Sequence, residues 1–123
     1  MPIQKILLVD DSKTELHALS EMLTKRGYQV RTAENGEDAW RRLQEEKPDL
    51  ILMDVVMPHM TGVEACRAIR SAEATRHIPI ILVTTKGDGD SVETGFASGC
   101  TDYVTKPING PELLSKLRDQ IGE

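Results

Sequence analysis

Three carboxylates, a hydroxyl and an amine carry the chemistry this sequence can do. Asp10 and Asp11 follow the apolar run Lys5-Ile-Leu-Leu-Val9, and Asp54 closes another, Leu50-Ile-Leu-Met53. Thr84 follows Ile78-Pro-Ile-Ile-Leu-Val83, and Lys106 follows Thr101-Asp-Tyr-Val-Thr105. If the ends of these runs converge, three acids within a few ångströms repel one another, so they take up protons or a cation sits among them. The charges favour the cation: about −3 from the acids is balanced by about +2 from a divalent metal and about +1 from Lys106. Oxygen ligands without Cys or His select magnesium, with manganese able to stand in. Lys106 is a compact point charge suited to a phosphoryl oxygen, and the Thr84 hydroxyl can donate to another. A carboxylate beside a cation and a lysine can attack phosphorus and form an aspartyl phosphate. The sequence offers no Ser-His-Asp or Cys-His set. Nor does a Gly-rich nucleotide loop follow the first apolar run, where Asp11-Ser12 leads straight into a helical pattern.

The elements that must deliver these groups alternate along the chain. Lys5–Val9 and Leu50–Met53 read as continuous apolar runs, as in strands buried on both faces of a parallel sheet. Pro58 forbids an immediate helix at Met57, so Asp54 stands where a buried strand meets a loop. Tyr28–Ala33 alternates, the pattern of an edge strand, and Ile78–Val83 and Thr101–Thr105 supply the fourth and fifth strands. Between them lie helical patterns. Ser12 with Glu15 forms a capping box ahead of Leu16, Ala18, Leu19, Met22 and Leu23, with Gly27 as the stop. Asn35-Gly36 turns the chain into a helix with Ala39, Trp40 and Leu43 on its inner face. Thr61 with Glu64 precedes Val63, Cys66, Ala68 and Ile69. A short helix is predicted around Ser91–Ala97, and Asn109 with Glu112 opens the last, with Leu113, Leu114, Leu117 and Ile121. Five alternations predict an α/β fold, a doubly wound five-stranded parallel sheet of the flavodoxin-like type. The two most apolar strands must be neighbours for their acids to meet, and with the alternating second strand as an edge this gives the order 2-1-3-4-5 and a crevice between strands one and three.

Composition sets limits around that site. The 123 residues are expected to form one domain over 1–123, with no output domain expected. The net charge of −5 and the absence of a long Lys/Arg run argue against direct nucleic-acid binding. The longest apolar run is far short of a membrane span and no signal-like segment opens the chain, so no membrane insertion and a cytoplasmic location are expected. Cys66 and Cys100 have neither Cys-x-x-Cys nor metal-ligand spacing and are expected to be reduced, partly buried thiols.

Val9-Asp10-Asp11, Met53-Asp54-Val55-Val56-Met57-Pro58 with Gly62, Val83-Thr84 and Tyr103-Val104-Thr105-Lys106-Pro107 together resemble the receiver domain of two-component response regulators. The resemblance runs from about Lys5 to Leu117. It implies that Asp54 accepts a phosphoryl group from a histidine kinase. It also implies that Asp11 and Asp54 ligate magnesium, with Asp10 helping through water and the Val56 backbone carbonyl as a further ligand. Thr84 and Tyr103 would be the switch residues, Lys106 the phosphoryl partner, and the Lys106–Pro107 bond cis. The fourth helix, fifth strand and fifth helix would form the face that meets a protein target. Thr85 stands where the family usually has Ala, Gly or Ser, narrowing access to the phosphoryl group. Val56 and Lys86 fill two positions that tune hydrolysis. The Val-Thr-Thr-Lys stretch is similar to stand-alone regulators of chemotaxis-like and pilus-motility systems. Two rival readings remain: a magnesium-dependent phosphohydrolase with an aspartyl nucleophile, and a docking module that is never phosphorylated. The first lacks the usual acid two residues after the nucleophile, where Val56 stands; the second is hard to square with the complete set of acids, Thr84 and Lys106.

Overall fold

The computed structural model describes residues 4–54, 62–85, 99–106 and 108–121. Five strands, β1 (Lys5–Val9), β2 (Gln29–Ala33), β3 (Leu50–Asp54), β4 (Ile80–Thr85) and β5 (Asp102–Lys106), form one parallel sheet in the order β2-β1-β3-β4-β5. Four helices are described: α1 (Lys13–Lys25), α2 (Gly36–Glu45), α3 (Gly62–Ser71) and α4 (Gly110–Ile121). The helix predicted around Ser91–Ala97 lies outside the described residues.

The period of two along each central strand divides the core. Leu7, Val9, Ile51, Met53, Ile80 and Leu82 face one way, onto Ala39 and Leu43 of α2 and Ala65, Cys66 and Ile69 of α3. Ile6, Leu8, Leu50, Leu52, Ile81 and Val83 face the other way, onto Leu16 and Leu23 of α1 and Leu113, Leu114 and Leu117 of α4. Burial on both faces is why these strands read as unbroken apolar runs. β2, an edge strand, keeps Gln29 and Arg31 exposed.

Caps set the helix ends. Ser12 Oγ accepts from the Glu15 N–H at 3.3 Å, but the Ser12 N–H donates to Asp10 Oδ1 at 2.9 Å. Asn35 is an N-cap, its Oδ1 accepting from Asp38 N–H at 2.8 Å, and Asn109 does the same for Glu112 at 2.9 Å. Helix α1 ends in a Schellman motif: Gly27 N–H donates to Thr24 O and Tyr28 N–H to Leu23 O, with Gly27 at φ +94°. Because Tyr28 spends its amide there, β2 begins at Gln29, one residue later than its alternation suggests.

Other details depart from the sequence pattern for local reasons. β4 starts at Ile80 rather than Ile78, since Ile78 N–H turns back to Thr75 O and Pro79 has no N–H to give. It extends through Thr84 and Thr85, which pair with Thr105 and Lys106. Ala18 and Ala68 are exposed, while Ala65 takes the inner position on α3. Trp40 is not core: it is 40 % exposed, at the side of an apolar groove of about 220 Å³ between α2 and α3, with Leu43, Ala65 and Ile69.

Cys66 and Cys100 are both buried and unbridged. Burial pushes the Cys100 thiol from its ordinary 9.0 up to about 11, reinforced by Cys66 and Asp102 and opposed by Arg70. A folded-state value above the unfolded one stabilises the fold fully below the unfolded value, and that contribution is lost as pH rises towards the folded one. The wild type is therefore expected to lose more stability than Cys100→Ala between pH 9 and 11. Denaturant melts of the two proteins across that window check it; parallel losses would contradict it.

Candidate functional site

The carboxyl edge of the sheet gathers the acids. β1 ends at Val9, and the Asp10 amide extends its ladder by donating to Ala33 O at 3.1 Å. The Ser12 amide holds Asp10 Oδ1, which aims the carboxylate across the sheet edge as α1 begins. On the neighbouring strand, Val9 pairs with Met53, so Asp54 follows in register beside Asp10. Asp10, Asp11 and Asp54 bring one carboxylate oxygen each to within 4.8 Å of one another. Asp10 and Asp54 are 4 % and 5 % exposed, whereas Asp11 is open to solvent. Two buried acids and an exposed third, all hard oxygen donors, suit a divalent cation that keeps part of its water shell. The donor set therefore fits magnesium.

Thr84 stands one strand further on. Asp54 pairs with Val83, which puts Thr84 one residue beyond the register of Asp54. Its side chain is 1 % exposed and Oγ1 has no hydrogen-bond partner among the described residues. A buried hydroxyl left in that state costs about 1–3 kcal/mol, a deficit that an arriving acceptor oxygen removes. Thr84 shares its side of the sheet with Leu82, and Leu82 pairs with Tyr103 on β5. Thr84 and Tyr103 are thus diagonal neighbours on one face, and the Tyr103 ring packs on the cluster covered by α2 and α3.

Lys106 closes β5 opposite Thr85. Its side chain, Val56 and Pro107, including the expected cis bond, lie outside the described part. Sequence pattern did not single out Lys116, which on α4 reads as a solvated helix face. Its Nζ lies 5.0 Å from the Tyr103 ring centroid, 3.2 Å from Asp102 Oδ1, and donates to the Tyr103 carbonyl. Its position four residues after Glu112 hinted at a helical ion pair, seen at 3.7 Å, but nothing local encodes the long-range partners.

Comparison with known proteins agrees with this geometry. A family model described as the response regulator receiver domain matches residues 6–118. The chain is 44 % identical over 113 residues to the protein PilH of Pseudomonas aeruginosa, covering 92 % of this chain and 93 % of that one. It is 42 % identical to the transcriptional regulatory protein AfsQ1 of Streptomyces coelicolor, of which it spans 49 %. Among solved structures, chemotaxis protein CheY4 of Vibrio cholerae superposes with a TM-score of 0.91 at 35 % identity, covering 97 % of this chain and 99 % of that one. The receiver domain of the sensor histidine kinase PA1611 of P. aeruginosa, described with a magnesium ion coordinated in its active-site cleft, gives 0.90 at 34 % identity, covering 99 % and 100 %. The chain belongs to the receiver domain family of two-component response regulators, whose members are phosphoryl-accepting signalling switches. Among the described residues, no helix is long and apolar enough to cross a membrane.

Crowding like charges at the sheet edge makes a direct prediction. Asp54→Asn removes one of three repelling carboxylates while keeping shape. Its melting temperature in metal-free, low-salt buffer is expected to equal or exceed that of wild type. A clear fall would contradict the geometry.

Proposed function

We propose that Asp54 is the phosphoacceptor of this receiver domain and that Asp10, Asp11 and Asp54, with the Val56 carbonyl, would hold Mg2+ or Mn2+. The observation that carries this reading is the cluster of three carboxylate oxygens within 4.8 Å, two of its acids buried, at the carboxyl edge of the sheet. A bound divalent ion would neutralise the acids and the phosphoryl oxygens gathered beside them. The chain's own residues do the rest. An Asp54 oxygen attacks phosphorus of a phosphohistidine on a histidine kinase; the O–P bond forms, the N–P bond breaks, and the imidazole leaves as the phosphoryl group moves over. Lys106 supplies a positive charge for one phosphoryl oxygen. The unpartnered Thr84 hydroxyl donates to another.

That new hydrogen bond exists only in the phosphorylated state, so it is a contact able to shift a conformational equilibrium. Drawing Thr84 towards the phosphoryl group changes the packing beside its diagonal neighbour Tyr103. The output is altered binding of a protein target on the face made by β5 and α4, where Lys116 grips Tyr103 and Asp102. No acid stands two residues beyond Asp54, where Val56 is, so turnover of foreign phosphate esters is not part of this reading.

Incubation with acetyl phosphate and magnesium tests both halves. Intact mass is expected to show one added phosphoryl group on wild type and Thr84→Ala and none on Asp54→Asn. Amide shift changes from Gly99 to Val104 on adding beryllofluoride are expected to be large in wild type and small in Thr84→Ala. Phosphoryl gain by Asp54→Asn would overturn the site, and equal shifts in the two proteins would overturn the relay.

A further inference from the structure

We infer that Arg70, at the amino edge of the sheet and far along the strands from the acids, is a positioning residue for the phosphoryl-binding half of the site. The inference rests on the reading of Thr84 and Lys106 as phosphoryl contacts. The guanidinium of Arg70, in the last turn of α3, reaches both segments that lead into β4 and β5. Its Nη1 donates to Arg76 O at 2.9 Å and Ile78 O at 2.6 Å, just before β4. Its Nε donates to Gly99 O at 2.7 Å and its Nη2 to Thr101 Oγ1 at 3.4 Å, just before β5. Thr101 in turn locks the two strands together. Its Oγ1 accepts from Ile80 N–H at 3.1 Å and its own N–H donates to Ile80 O at 2.7 Å.

One planar fork therefore fixes where two strands start. β5 runs five residues from Asp102 to Lys106, and the ladder transmits the starting point along them. A one-residue slip in a strand sends every side chain to the other face. For β5 such a slip would move Tyr103 off its packing cluster and Lys106 away from Thr85. β5 stands at the end of the sheet order with β4 as its neighbour, so its register depends on that ladder and on what anchors its start. The contact at Gly99 is made to measure: its φ is +108°, and a Cβ there would lie 2.7 Å from Arg70 Cγ. Lysine cannot reproduce the arrangement, since a point charge cannot serve carbonyls spread around a fork. The acids stand at or just beyond the ends of β1 and β3, and the Arg70 hydrogen bonds described above all fall on the approaches to β4 and β5.

This asymmetry separates positioning from general stability. Arg70→Met keeps the apolar stem and removes the fork, Arg70→Lys keeps the charge, and Gly99→Ala disturbs the same contact from the other side. Magnesium affinity and then beryllofluoride affinity at saturating magnesium are measured by calorimetry on each folded variant, with Thr84→Ala and Lys106→Ala as controls. Magnesium affinity is expected to stay within about twofold of wild type, while beryllofluoride affinity falls by about fivefold or more in both Arg70 variants and falls in Gly99→Ala. Wild-type beryllofluoride affinity in the Arg70 variants, with loss in the controls, overturns the inference alone. Loss of both affinities together, or failure of all three variants to fold, overturns it by making Arg70 a general stabiliser. If neither control loses beryllofluoride affinity, the reading of Thr84 and Lys106 fails instead.

Discussion

Repulsion among three carboxylates is the constraint on which the rest of the molecule turns. Asp10, Asp11 and Asp54 would separate if they sat on mobile backbone, yet their oxygens are held within 4.8 Å. The restraint comes from below: β1 and β3 pair in register from Ile6–Leu50 to Val9–Met53, and their side chains are buried on both faces. Sliding either strand to relieve the acids would turn leucines and isoleucines out of two cores. Burial of several such side chains, each worth about 1.5–3 kcal/mol, outweighs the Coulomb cost of like charges near a wet surface. The fold thus stores an unfavourable charge cluster that a cation or an incoming phosphoryl group with its counter-charges can complete.

The same economy governs Thr84. A hydroxyl buried without a partner among the described residues is a local cost on a strand whose Ile80, Ile81, Leu82 and Val83 are buried. Its diagonal neighbour Tyr103 is held from beneath by the cluster around Leu82 and from the side by Lys116. Asp54, the Thr84 hydroxyl and the gripped ring lie on successive strands, β3, β4 and β5. A change in hydrogen bonding at one strand end has a short packed route to the next.

Much of this was legible in the chain because its signals are local. Unbroken runs such as Leu50–Met53 announce strands covered on both faces, and an acid at each run's end announces a shared sheet edge. Strand order followed from requiring Asp10 and Asp54 to meet. What stayed hidden depends on distant partners or on competition for one amide. Ser12 N–H goes to Asp10 instead of to the acid three residues on, which turns a routine cap into a device that orients a site carboxylate. Tyr28 belongs to a helix stop before it belongs to a strand, and Ile78 to a turn before β4. Trp40 looks like core by helical spacing, but the small Ala65 and Ala68 on α3 leave its side of α2 open. Arg70 and Lys116 read as surface cations; their roles come from carbonyls and a ring roughly ten to thirty residues away, which no periodicity reports.

The central claim is that the acid at the end of β3, and not one of its neighbours, forms the acyl phosphate. Borohydride reduction measures this directly, because it converts an aspartyl phosphate to homoserine at the modified residue. Wild-type protein treated with acetyl phosphate and magnesium, reduced, digested and sequenced by tandem mass spectrometry should carry homoserine at position 54 and aspartate at positions 10 and 11. Homoserine at position 10 or 11, or at an acid outside the cluster, would contradict the account.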